Sequence, residues 1–71
     1  ELVFSTASLP RGQWNAVVTN SNGQQIAIKV FEKTDRTLRI NIPLKGGLSR
    51  GIYYLVLTNR YQFFKENFMI Q

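Results

Sequence analysis

At 71 residues the chain has apolar side chains for one core only, which excludes a second domain. It contains neither cysteine nor histidine, and this removes disulfides, thiolate metal sites, the commonest metal ligand and the commonest general base. Nine Lys and Arg against four Asp and Glu give a formal charge of +5, a balance that attracts anionic partners such as nucleic acid or lipopolysaccharide, but the basic residues are scattered singly and form no tail.

Every apolar segment is short, alternating and bounded by turn residues, which is the pattern of strands. The first expected strand is Leu2 to Ser5, followed by a loop punctuated by Pro10 and Gly12. The second runs from Trp14 to Asn20 and stops at Ser21, Asn22 and Gly23, where Asn-Gly is expected to supply the two positive-φ positions of a tight hairpin. The third, Gln24 to Glu32, is expected to place Ile26, Ile28 and Val30 on one face and Ala27, Lys29 and Phe31 on the other. A polar turn from Lys33 to Arg36 leads to a fourth strand, Thr37 to Ile42, with Leu38, Ile40 and Ile42 inward, ended by Pro43.

Leu44 to Arg50 reads as a loop centred on Gly46 and Gly47. Ile52 to Thr58 carries β-formers on both faces, so it is expected at the centre of a sheet or under cover on both sides. After a turn at Asn59 and Arg60, the last strand runs from Tyr61 to Ile70, and ten residues are long enough to predict a bulge near Glu66 and Asn67. Strands of this length and spacing, with no helical stretch, predict an all-β fold, a small antiparallel Ig-like β-sandwich of six to seven strands in residues 1–71. The longest apolar run, Ile52 to Leu57, is far short of the roughly 20 residues that a membrane-spanning helix needs, so no transmembrane segment is expected. Nothing at Glu1 has the charged and apolar regions of a signal peptide, and the piece is expected to belong to a longer protein.

The stock of reactive groups is thin. The carboxylates are Glu1, Glu32, Asp35 and Glu66, and the pair at Glu32 and Asp35 flanks a turn where charges are ordinarily just solvated. The serines have no histidine to activate them, one Asp is too few for a calcium loop, and no glycine motif cradles a phosphate. The domain is therefore expected to be no enzyme, with no cofactor and no metal. The nine aromatic residues fall mostly on strands, where rings are more often core than platform. Tyr53 and Tyr54 point to opposite faces, so one of them is expected to meet solvent or a partner.

Leu48-Ser49-Arg50-Gly51-Ile52-Tyr53-Tyr54-Leu55-Val56-Leu57, placed between the Arg39-Ile40-Asn41-Ile42-Pro43 strand and a final strand ending Phe68-Met69-Ile70-Gln71, resembles the C-terminal sorting domains of type IX secretion substrates in Bacteroidetes, the Por secretion type A family. Asn22-Gly23-Gln24-Gln25-Ile26 is similar to the hairpin of that family, and the likeness spans roughly residues 14–71. Two features depart from the pattern. No Tyr-Pro-Asn-Pro segment or earlier strand precedes Glu1, so the first strand of the family is expected to be missing, and Glu66-Asn67 stands where relatives carry a basic pair.

The resemblance implies a C-terminal address that directs a cargo protein through the outer-membrane translocon to the cell surface or the medium. It implies as partners that translocon, its shuttle protein and a sortase-like peptidase, with no specific nucleic acid, and a monomeric domain. The residues expected to bind a partner are Gly51, Tyr53, Lys65, Phe68, Met69 and Ile70. Two other readings stay open: a carbohydrate-binding or Ig-like accessory module of a secreted enzyme, with Trp14 or Tyr54 as the stacking ring, and a small nucleic-acid-binding barrel.

Overall fold

The computed structural model describes residues 2–36, 39–44 and 48–71. Among them are six strands and no helix: β1 (Leu2–Ser5), β2 (Gly12–Asn20), β3 (Gln25–Lys33), β4 (Arg39–Ile42), β5 (Gly51–Thr58) and β6 (Phe63–Ile70). All pairings are antiparallel, in a four-stranded sheet of order β3-β2-β5-β6 and a two-stranded sheet of order β1-β4. Residues directly opposite in such a ladder share a face. Ala16 therefore stands beside Leu57, and Val18 beside Leu55, on the face that also carries Trp14 and Phe31. That face packs against Ile40 and Ile42 of β4, with Leu2 and Phe4 of β1 closing over it, and the two layers form a small β-sandwich. Trp14 is fully buried at its centre, and its indole Nε1 donates a hydrogen bond of 2.9 Å to the Pro10 carbonyl, so the one polar atom of the ring is satisfied.

The β2–β3 hairpin is present, but its turn is not the one that Asn-Gly predicts. Among the described residues only glycines have positive φ, so Asn22 does not take a left-handed conformation; Gly23, at φ +84°, does. The organiser is Asn20. Its carbonyl accepts the Gly23 N–H at 3.0 Å, while its side-chain Oδ1 accepts the N–H groups of Asn22 and Gln24 at 3.0 and 2.9 Å. An Asx side chain that bonds backbone this way stabilises an ordinary turn followed by one left-handed glycine, and the doubly left-handed hairpin turn is not needed.

That longer loop shifts the register between Val18 and Thr19: Val18 pairs with Ala27 and Thr19 with Gln25, so Ile26 is the extra residue. The bulge breaks the alternation expected for β3. Ile26 and Ala27 both pack on the core, while Ile28 and Val30 face outward and are more than half exposed. The bulge expected at Glu66 and Asn67 is absent, because β6 pairs with β5 without a shift from Phe63 to Ile70. The strand is also shorter than ten residues. The Asn59 Oδ1 accepts the N–H groups of Tyr61 and Gln62 at 2.9 and 2.7 Å, and this draws both residues into the turn.

Lys33, expected in a turn, ends β3 instead. Its stem is buried and its Nζ reaches the Arg36 carbonyl at 3.0 Å, so the ammonium escapes the core at the end of a covered chain. The expected inward Leu38, and Gly46 and Gly47 at the centre of the following loop, lie outside the described residues. β5 sits between β2 and β6, as its density of β-formers predicts. Cover comes from one side only: Tyr53, Leu55 and Leu57 are buried, whereas Ile52 on the other face is exposed.

Candidate functional site

Of the residues that the sequence singles out, Gly51, Tyr53, Phe68, Met69 and Ile70 gather where β5 begins and β6 ends, whereas Lys65 stands farther along β6, opposite Val56. Gly51 opens β5 at φ +146°, a conformation that a side chain disfavours, and stands opposite Ile70. Two residues on, Tyr53 is buried; its hydroxyl donates to the Ser49 carbonyl at 2.6 Å, and its ring stacks on that of Phe68 with centroids 6.0 Å apart. Tyr53 thus fastens the entry of β5 to both the preceding loop and β6, and it reaches a partner only by positioning those strands. Gly51, Tyr53, Phe68 and Ile70 share the inner face, while Lys65 and Met69 stand on the outer one. The Lys65 ammonium lies 4.5 Å from the centre of the Tyr54 ring, a cation–π contact at the surface. Arg50, Gly51, Met69 and Ile70 line a shallow cleft at this end of the sheet.

Among the described residues β6 is bonded to β5 alone, so its far edge offers free backbone donors and acceptors along its eight residues. It is also the most apolar exposed element, with Phe63 and Met69 each more than 60% exposed and Phe64 41%. The expectation that strand aromatics are core fails for Phe63 and Phe64, and Tyr61 in the adjoining turn is more open still. The reason is architectural. Phe63 stands on the outer face of the sheet, which no second layer covers among the described residues, while Phe64, on the inner face, lies with its ring centroid 5.8 Å from that of Trp14 and borders a cavity of about 120 Å³ with Phe4, Leu9 and Glu66. Two adjacent aromatics do not announce this, because alternation leaves open which face another sheet covers.

The opposite edge, β3, is better guarded. The Lys29 Nζ crosses to the Asn41 carbonyl of β4 at 3.0 Å and ties that edge to the second layer.

No protein-family model, curated protein or solved structure matches this chain.

Geometry therefore carries the functional reading. Trp14 cannot serve as a stacking ring for a sugar, because none of it reaches the surface. Tyr54 is half-buried, and Lys65 occupies one of its faces. Asp35, one of the turn carboxylates, pairs with Arg11 at 3.2 Å, both side chains standing well out in solvent, where such a pair contributes at most about 1 kcal/mol. Among the described residues no group of three or more acidic or metal-ligating side chains comes together, and no helix is long and apolar enough to cross a membrane. What the surface offers a partner is an unpaired strand edge flanked by exposed rings.

Proposed function

We propose that this domain is a sorting module of the type IX secretion kind, recognised as a folded shape by an outer-membrane export apparatus through β6. The observation that carries the reading is the unpaired, register-perfect eight-residue edge of β6, with apolar side chains exposed beside it. A partner strand laid along that edge gains main-chain hydrogen bonds, and Phe63 and Met69 give it apolar anchors on one face. The order of motifs supports the same reading: Gly51 opens the central strand, Tyr53 locks it, and the last apolar strand lies at the edge. Delivery asks no chemistry of the domain, which accords with the scarcity of reactive side chains.

The test is export of a reporter. A secreted fluorescent protein followed by this chain, expressed in a type IX-competent host, is expected to reach the surface or medium, and removal of Asn67 to Gln71 is expected to hold it in the periplasm. A reporter retained in the periplasm with the intact domain defeats the proposal, as does undiminished export after the deletion.

A further inference from the structure

At the other end of β5, about 25 Å from Gly51 at the rise of an antiparallel strand, Arg11, Gln13, Asn15, Asn59, Arg60 and Tyr61 line an open cleft of about 500 Å³. We propose that this cleft binds an acidic saccharide, a sugar chain bearing carboxylates. The site owes nothing to the export reading, although Tyr61 stands two residues before Phe63, one of the anchors that reading invokes.

Three features select this ligand. Tyr61 is 84% exposed, and among the described residues its hydroxyl makes no hydrogen bond and its ring no contact with another ring or a cation, so the ring is available to the C–H face of a sugar. Its backbone is nonetheless fixed, since the Tyr61 N–H is held by the Asn59 side chain, so the ring is presented from a defined turn. Beside it, Gln13 and Asn15 project from the outer face of β2, and the Asn59 amide has spent only its oxygen on the turn, keeping its NH₂ donors. Amides that both donate and accept suit vicinal hydroxyls. Arg60 has no ion-pair partner among the described residues, and Arg11 has only its exposed contact through Nε with Asp35, which leaves its terminal nitrogens available. Two guanidinium forks match carboxylates in geometry and charge.

A single-stranded nucleic acid also pairs charge with rings, but it is held by bases stacking in succession. This cleft contains one ring and three amides, which favours the sugar.

Isothermal titration of the 71-residue chain with tetragalacturonate, at about 50 mM salt, tests the assignment. Binding is expected, at least tenfold tighter than to a neutral galactotetraose. Arg60→Gln and Tyr61→Ala should each weaken it about tenfold, the size of one charge-assisted contact or one stacked ring. Both side chains are exposed, so the unfolding midpoint should stay within about 2 °C of the parent, as surface changes ordinarily do. Equal affinity for the neutral sugar, indifference to Arg60→Gln or to Tyr61→Ala, or tighter binding of an oligothymidylate of similar length would overturn the assignment.

Discussion

Replacing Gly51 by alanine isolates a backbone effect at the start of β5. An added Cβ at Gly51 meets no heavy atom within 4 Å, so crowding contributes nothing, yet φ is +146°, where an L side chain is strained. Holding a non-glycine residue in such a region costs about 1 to 3 kcal/mol. A domain of 71 residues is stabilised by about 4 to 11 kcal/mol in total, so the loss is a large share. At about 4 to 8 °C per kcal/mol for domains of this size, a cost of ~2 kcal/mol lowers the midpoint by about 8 to 16 °C. Thermal unfolding followed by far-ultraviolet circular dichroism reads this directly. Because the cause is backbone and not volume, Gly51→Ser should cost nearly as much as Gly51→Ala. A loss below ~0.5 kcal/mol for alanine, or a cost that grows steeply from alanine to serine, would refute the reasoning.

Other expectations follow from single contacts. Trp14→Ala should cost about 3 to 5 kcal/mol and leave little folded protein at 37 °C, whereas Trp14→Phe should retain the fold and lose the bond to Pro10 together with part of the ring, all measurable by urea titration. Tyr53→Phe removes the 2.6 Å bond to the Ser49 carbonyl and should cost about 1 kcal/mol in the same titration, with the fold intact. A double-mutant cycle between Lys65→Gln and Tyr54→Leu should return a coupling of about 0.5 to 1 kcal/mol, and a coupling of zero would deny the cation–π contact any energetic part. Glu66 places a charge on the inner face of an open edge, a feature that discourages edge-to-edge pairing, so Glu66→Val should make the protein self-associate at concentrations where the parent sediments as a monomer.

The strands themselves were legible in the sequence because alternation and turn residues are local. Leu2 to Ser5 coincides with β1, four further strands depart from expectation by one or two residues at their starts or ends, and β4 matches over Arg39 to Ile42, the expected start at Thr37 lying outside the described residues. What escaped has a common cause. Asn20 and Asn59 each use a side-chain oxygen to hold two backbone N–H groups, and those bonds decide the hairpin type, the bulge at Ile26 and the true start of β6. Asn-Gly is a frequent hairpin signal, but an Asx turn begun two residues earlier outcompetes it here.

Of the candidate site, the pairing of Gly51 with Ile70 and of Tyr53 with Phe68 follows from strand order and alternation. The exposure of Phe63 and Phe64 does not, because it depends on which face of the sheet the β1–β4 layer covers, a long-range property that no window of sequence contains, and Tyr61 is held in a turn by Asn59. Packing across layers likewise decides the place of Trp14, attractive as a surface ring on composition but the largest of the fully buried side chains.

Recognition through the open side of β6 is tested most directly by photocrosslinking during export. A photoreactive phenylalanine analogue at Phe63 or Met69 of the reporter fusion should capture a component of the outer-membrane export apparatus, and the same analogue at Ile28 or Val30, on the β3 side of the sheet, should capture none. Crosslinks that arise from β3 while β6 stays silent would contradict the account.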